Sequence, residues 1–176
     1  MGGIVHQGES RPPATVASGE SGGKKRARRV RVLAIASSGG HWVQLMRLRP
    51  AFEGCDMVYV TAQSNPREDL GGAKLYRIID ANRWNKGRLA RLAPRVLWLL
   101  LKERPDVIVS TGAAPGALAV IFGRLIGART LWVDSIANAE RLSMSGKLVR
   151  KWATLTLSQW PDVAAAEGVA YRGAVL

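Results

Sequence analysis

The sequence predicts a single α/β domain with a Rossmann-like, mostly parallel sheet and helices on both faces. From residue 30 onward, short apolar and β-branched runs alternate with longer segments of helical periodicity. This alternation is typical of parallel strands joined by crossover helices. Most of the runs are apolar on both sides of the pleat, as expected for strands that helices cover on both faces. The length of 176 residues favours one domain over two.

Six segments have the composition of strands: Val30–Ala36, Met57–Thr61, Lys74–Ile79, Val107–Ser110, Thr130–Asp134 and Thr154–Ser158. Helical periodicity covers His41–Ala51, Lys86–Lys102, Pro115–Ile126 and Gly146–Trp152, and a short helix is expected after Trp160. In the third helix, Pro115 suits the first turn and Gly127 suits the left-handed position that follows a helix. Pro94 predicts that the second helix kinks there or begins nearby.

Residues 1–29 are rich in Gly, Ser, Pro and charge and poor in large apolar residues. Such a segment buries too little apolar surface to offset the entropy of ordering, so we expect a disordered basic leader before a domain at residues 30–176. The longest apolar runs have six residues each, which is too short for a secretory signal or a bilayer-spanning helix. Cys55 is the single cysteine, which excludes an intrachain disulfide and favours a cytosolic environment.

The formal net charge of +13 favours contact with polyanions or with an anionic membrane surface. Arg88, Arg91, Arg95 and Lys102 share one face of the second predicted helix, with Trp98 close by. A basic amphipathic helix with an aromatic residue is typical of membrane-surface contact. The alternative is an ordinary solvated helix face. Nucleic-acid binding is disfavoured, because few aromatic residues lie among the basic ones and no nucleic-acid motif is present.

Two glycine turns connect strands to helices at the carboxyl edge of the predicted sheet, where such folds bind ligands. They are "SSGGH" at residues 37–41 and "VSTGAAPG" at residues 109–116. Glycine permits a positive φ and close approach of another molecule, and the helix that follows directs its free N–H groups at the same point. We therefore expect them to bind a phosphate or an acceptor oxygen, through Ser38, Gly39, Gly40, Ser110, Thr111 and Gly112. The alternative is that both are only tight connections, with Thr111 capping the second.

His41 and Asp134 are the candidate catalytic residues. His41 follows the first glycine pair, where the positive end of the helix dipole favours a neutral imidazole that can accept a proton. Asp134 ends a predicted strand and precedes Ser135 and Asn138, so it could accept a hydroxyl proton or bind sugar hydroxyls together with Asn138. The alternative for Asp134 is a turn-forming or capping role. No metal-ligand cluster is present in the sequence, and no metal is expected.

The motifs "AIASSGGHWVQLMRLRP", "PDVIVSTGAAPGALAVIFGRLIGARTLWVDSIANAERLSMSGKL" and "LTLSQWP" together resemble one family over residues 30–176. This family comprises the acceptor-side, membrane-anchoring subunits of the split GT-B, MurG-like glycosyltransferases. It includes the anchoring subunit of the eukaryotic enzyme that adds the second N-acetylglucosamine to dolichyl-diphosphate-GlcNAc. It also includes bacterial exopolysaccharide proteins of the PssD type.

The resemblance implies the N-terminal half of a GT-B fold that works as a heterodimer with a nucleotide-sugar-binding partner. The acceptor would be a polyprenyl-diphosphate-linked sugar, the UDP-sugar donor would lie mainly on the partner, and this chain would need no cofactor. His41 matches the family's histidine, and Asp134 stands where relatives usually have Glu. We expect an inverting transfer at the cytoplasmic face of the membrane, with peripheral attachment and with Tyr171–Leu176 as an interface strand.

Two alternatives to this function remain. The chain could be a non-catalytic membrane anchor that activates its partner. It could also be a nucleotide-dependent Rossmann oxidoreductase, although neither turn has the G-x-G-x-x-G spacing of a dinucleotide site.

Overall fold

The computed structural model describes residues 28–66, 68–81 and 85–175. This part of the chain forms one parallel sheet with the strand order β3-β2-β1-β4-β5-β6-β7. The strands are β1 (Arg31–Ala36), β2 (Asp56–Thr61), β3 (Lys74–Arg77), β4 (Val107–Ser110), β5 (Arg129–Val133), β6 (Leu155–Ser158) and β7 (Ala170–Tyr171). The helices are α1 (Gly40–Arg47), α2 (Lys86–Glu103), α3 (Ala113–Leu125), α4 (Met144–Val149) and α5 (Pro161–Glu167). The predicted fold class is confirmed.

The boundaries differ from the prediction where proline or backbone geometry intervenes. Helix α1 ends at Arg47, and a separate 3₁₀ turn covers Arg49–Phe52, because Pro50 has no N–H to continue the α-helical ladder. Helix α2 begins at Lys86 as expected and continues through Pro94 without ending. Helix α3 begins two residues before Pro115, which therefore lies in its first turn as predicted.

The core has one layer on each face of the sheet. On one face, α2 and α3 cover the central strands, with Leu92, Leu99 and Ala119 packed against Leu33 and Ile108. On the other face, α1 covers the same strands through a second cluster: Val32, Ala34, Ala36, Trp42, Leu45, Tyr59 and Val109. Residues of β1 alternate between the two clusters, which explains why its sequence is apolar throughout.

The two ends of the chain correspond only in part to the expectations. Residues 1–27 of the predicted leader lie outside the described residues, as does Leu176. Of the segment expected to form an interface strand, Tyr171 belongs to β7, where it pairs in parallel with Ser158 of this chain's own β6. Strand β7 is the last in the sheet order, so its second edge has no neighbour among the described strands.

Candidate active site

The candidate site lies at the carboxyl ends of β1 and β4. These strands are neighbours in the sheet, but the chain leaves β1 toward β2 and β3 and leaves β4 toward β5, β6 and β7. This topological switch point separates the loops on either side and opens a crevice, which is where open α/β sheets bind ligands. Both predicted glycine turns meet there.

The first turn places a left-handed glycine at the start of α1. Gly39 has φ 64° and is the N-cap residue, and no side chain caps the helix. Its N–H donates to Oε1 of Gln63 at 3.2 Å, and the Ser38 hydroxyl donates to Asp80 at 3.4 Å. Gly40 opens the helix and is exposed. The positive end of α1 therefore faces the crevice without a side-chain cap.

His41 binds the second turn through two reciprocal hydrogen bonds. Its Nδ1 lies 2.9 Å from the carbonyl oxygen of Thr111, and the Thr111 hydroxyl donates to the His41 carbonyl oxygen at 2.7 Å. Because a carbonyl only accepts, Nδ1 carries the proton, and Nε2 of the neutral ring retains its lone pair. The alternative in which Thr111 caps the second turn is not supported, since its hydroxyl donates to the first turn and no side chain caps α3.

Gly112 supports the imidazole directly. It has φ 144°, and a Cβ at this position would lie 2.4 Å from both Cε1 and Nδ1 of His41, so no side chain fits beneath the ring. Its N–H donates to the Ser110 hydroxyl at 3.2 Å, and no side chain caps α3. Ala113, the first residue of α3, has φ 63°, a conformation that non-glycine residues rarely adopt and that is frequent at functional sites.

Asp134 holds the β5–α4 connection together. Its carboxylate is buried and accepts four hydrogen bonds, from Trp132 Nε1 at 3.0 Å, the Ser143 N–H at 2.7 Å, the Ser143 hydroxyl at 2.5 Å and Asn138 Nδ2 at 3.2 Å. These donors occupy the lone-pair positions that a substrate proton would need. The geometry favours the turn-forming alternative for Asp134 over the base role. Asn138 donates to the same carboxylate through its amide nitrogen, and its predicted role in binding the acceptor stays a prediction.

A buried network of amide side chains connects the site to the C-terminal segment. The sequence analysis did not predict this network. Gln44 of α1 donates to the Ser135 hydroxyl at 3.1 Å and accepts from Gln159 Nε2 at 2.7 Å. Gln159 also donates to the Asp134 carbonyl oxygen at 2.9 Å and accepts from the Val175 N–H at 2.8 Å. The available signal was Gln44 itself, a polar residue on the apolar face of α1 between buried Trp42 and Leu45.

The predicted membrane-contact residues all lie exposed on α2. Trp98 is 45% exposed, and its ring lies between two cations, with Arg95 at 4.6 Å and Lys102 at 4.7 Å from the ring centroid. Arg88 and Arg91 continue this face toward the start of the helix. Arg88 and Asp80 both line a hollow of about 100 Å³. The carboxylate of Asp80 accepts the hydrogen bond from the Ser38 hydroxyl, so the basic face of α2 extends to the crevice.

The described residues contain neither a membrane-spanning helix nor a cluster of metal ligands. No helix in them is long and apolar enough to cross a membrane. Within the same residues, no three His, Cys, Asp or Glu side chains are grouped as a metal site would require.

The chain is similar in sequence to subunits of a sugar transferase. No protein-family model matches the chain. UDP-N-acetylglucosamine transferase subunit ALG14 of Mus musculus is 24% identical over 171 residues, covering 76% of this chain and 77% of the mouse protein. The subunit of the same name from Cryptococcus neoformans is 34% identical over 84 residues, covering 42% of this chain and 36% of the fungal protein.

The fold is also that of known GT-B domains. MurG of Acinetobacter baumannii is similar with a TM-score of 0.62 and 13% sequence identity, covering 76% of this chain and 43% of MurG. At this identity the likeness shows the fold alone, and it spans less than half of the MurG chain.

Proposed function

Since this chain is similar in sequence to a UDP-N-acetylglucosamine transferase subunit and in fold to MurG, we propose that it is the acceptor-side, membrane-anchoring subunit of a two-chain glycosyltransferase. Its crevice forms one wall of the active site, and a nucleotide-sugar-binding partner forms the other. The acceptor is a sugar linked to a polyprenyl diphosphate. The donor binds mainly to the partner, and the names of the relatives suggest that it is UDP-N-acetylglucosamine. This chain requires no cofactor of its own.

The observation that carries this proposal is the position of His41 between two helix N-termini at the switch point. Its Nε2 is free to accept the proton of the acceptor hydroxyl, because Nδ1 is committed to the Thr111 carbonyl. The deprotonated oxygen attacks the anomeric carbon in a single displacement, which inverts that centre. Asp134 takes no proton in this mechanism, because its carboxylate already accepts four hydrogen bonds.

The backbone around His41 supplies the positive potential that the phosphates need. Helices α1 and α3 begin at Gly40 and Ala113 without side-chain caps, so their first N–H groups and dipoles face the crevice. Such donors stabilise an anion without reorganising during the reaction. We assign the acceptor diphosphate to these two helix ends, beside the partly exposed Ser38 and the exposed Gly39 and Gly40. Ser110 and Gly112 are buried and bonded to each other, so they support the second turn from within.

The test of the chemistry is His41→Gln, co-expressed with the donor-binding partner and assayed for sugar transfer to a polyprenyl-diphosphate acceptor. Glutamine can still donate to the Thr111 carbonyl but is no base, so the complex should form while turnover falls by about 10²–10⁴-fold. His41→Ala serves as the second variant. Turnover within a few-fold of the wild type in both variants would remove the base role and favour the alternative of a non-catalytic anchor.

We also propose that the basic face of α2 binds the cytoplasmic leaflet peripherally. Each basic residue near an anionic surface contributes about 1 kcal/mol, and Trp98 adds an aromatic group suited to the interface. Flotation with vesicles containing anionic lipid should lose most bound protein when Arg91 and Arg95 are both changed to Gln. The matched control changes two exposed cations elsewhere, Arg141→Gln with Lys151→Gln, and equal binding by the two double variants would contradict this orientation.

A further inference from the structure

A second hollow lies at the opposite edge of the sheet from the glycine turns. It has a volume of about 660 Å³, within the range of small-molecule sites. Its walls are the starts of β1, β2 and β3, the 3₁₀ turn Arg49–Phe52, and the glycine turn before β3. Since parallel strands begin at one edge and end at the other, this pocket is remote from the crevice and independent of the proposed transferase chemistry.

Basic side chains predominate around the pocket. Five of the lining residues are basic, Arg28, Arg29, Arg31, Arg49 and Lys74, and two are acidic, Glu53 and Asp56. Three of the cations are neutralised by ion pairs with carboxylates: Arg28 with Asp106, Arg31 with Asp56, and Lys74 with Glu103. Among the described residues, Arg29 and Arg49 have no carboxylate partner. Glu53, at the exposed rim, is the one lining carboxylate outside these pairs.

Arg49 is held in place over the pocket. Its guanidinium donates to the carbonyl oxygen of Asp69, and its Nη2 lies 3.4 Å from where a Cβ of Gly71 would be. The side chain therefore spans from the 3₁₀ turn to the glycine turn. Because its partner is a neutral carbonyl, the positive charge remains uncompensated. A positioned guanidinium of this kind suits the planar, bidentate recognition of an oxyanion.

Tyr59 lines the same pocket, and its hydroxyl is buried behind the pocket surface. It is the most deeply buried of the lining residues, at 1% exposure, and its hydroxyl has no hydrogen-bond partner in the described part of the chain. Burial raises the pKa of the phenol, and the charge of Arg49 offsets part of that rise, so the group is a protonated donor at neutral pH. Buried hydroxyls in folded proteins are nearly always hydrogen-bonded, so one without a partner requires an explanation.

The remaining wall is apolar. Phe52, Met57 and Leu70 line the pocket and are half-buried. A volume of about 660 Å³ exceeds what a bare oxyanion would fill, so the ligand that fits carries an organic group beside its charge. Two uncompensated guanidinium groups match the charge of about −1.5 to −2 on a phosphomonoester at neutral pH.

We propose that this pocket is a binding site for a phosphomonoester with an apolar group, with Arg49 and Arg29 on the phosphate, the Tyr59 hydroxyl donating from below, and the organic part against Phe52 and Met57. The phosphomonoester can come from a soluble metabolite or from the headgroup of a lipid. Both sources present the same charge and the same acceptor oxygens.

The test uses the full chain with two probes, phenyl phosphate in solution and vesicles of phosphatidylcholine with phosphatidic acid. Arg49→Gln should weaken binding of the relevant probe at least tenfold, and Tyr59→Phe should weaken it several-fold. Tyr59→Phe should also raise the Tm of the unliganded protein, because it removes an unsatisfied hydroxyl without changing the ring. Arg124→Gln, an exposed cation outside the pocket, is the matched control and should bind like the wild type.

The two probes distinguish a soluble phosphomonoester from the headgroup of a lipid. A tenfold loss of affinity for phenyl phosphate in Arg49→Gln would identify the ligand as a soluble ester. The same loss with phosphatidic acid vesicles would identify it as a lipid headgroup. In the vesicle arm, the difference between Arg49→Gln and Arg124→Gln measures the pocket, because the basic face of α2 is intact in both. If Arg49→Gln and Tyr59→Phe, folded by circular dichroism, bind both probes as tightly as Arg124→Gln does, the proposed site does not exist.

Discussion

The two glycine turns at the crevice contain the same residue type for opposite reasons. In the second turn, a Cβ at Gly112 would lie 2.4 Å from the His41 ring, and one at Gly116 would lie 1.8 Å from the Ser110 hydroxyl. In the first turn, a Cβ at Gly39 or Gly40 would meet no atom within 4 Å. The second turn is therefore a packed support for the histidine, whereas the first borders open space that an incoming group can occupy.

Gly112→Ala should have the largest effect on folding. We expect a loss of about 2–4 kcal/mol in the free energy of unfolding, because overpacking and a strained φ each cost about 1–3 kcal/mol. Denaturant titration measures this. Gly127→Ala is the control, since Gly127 has φ 86° but open space around its Cβ position, and it should cost only about 1 kcal/mol. Equal losses in the two variants would mean that the His41 ring does not pack on Gly112.

Asp134→Asn tests whether the tightly packed part of the site continues from the second glycine turn into the β5–α4 connection. The amide nitrogen of Asn would face donors that now bind the carboxylate, so we expect a loss of about 2–3 kcal/mol. Glu140→Gln removes an exposed carboxylate nearby and should leave the free energy of unfolding within about 0.5 kcal/mol of the wild type. A stable Asp134→Asn protein whose assembled enzyme is inactive would instead return Asp134 to the list of bases.

Thr111→Val tests the bond that joins the two turns. The change removes the hydroxyl that donates to the His41 carbonyl, and we expect a loss of about 1 kcal/mol in the free energy of unfolding. Thr111→Ser keeps the hydroxyl and should recover most of that loss. Thermal denaturation of the three proteins side by side decides the matter, and failure of serine to recover stability would assign the effect to packing of the methyl group.

Gly40→Ala should have the smallest effect on folding and the clearest effect on activity. Gly40 has neither a positive φ nor a neighbour near its Cβ position, so the free energy of unfolding should change by less than about 0.5 kcal/mol. Gly39→Ala should cost about 1 kcal/mol because of its positive φ. If the open space admits the acceptor diphosphate, Gly40→Ala raises the KM for acceptor in the assembled enzyme. An unchanged KM would show that the first turn does not contact the acceptor.

The sequence predicted those parts of the fold that depend on local patterns. The residues Val107–Ser110 form a strand with the bounds that their apolar and β-branched composition predicted, because a buried parallel strand is recognisable from its composition. The position of both glycine turns at one edge also followed from the predicted parallel direction of the strands, whereas the pairing of β1 with β4 was not predicted. The start of α3 did not, since a positive φ at Ala113 has no residue signal.

The roles of side chains depend on partners that are distant in the sequence, so the sequence predicted these roles less well than it predicted the strands. Gln44 and Gln159 are 115 positions apart and form one buried hydrogen bond. Asp134 had two open interpretations because its donors, Trp132 and Ser143, are ordinary residues until the chain folds around them. The alternative in which Thr111 caps its own turn fails because its hydroxyl donates to His41, 70 residues away in the chain.

The paired bonds between His41 and Thr111 mean that folding, rather than the substrate, sets the tautomer and the tilt of the imidazole. Turning the ring would break its bond to the Thr111 carbonyl and its packing over Gly112, so a contact between the two halves of the sheet fixes the orientation of the ring. An arriving sugar therefore meets a base whose orientation was determined when the core closed, and none of its binding energy is needed to align that group.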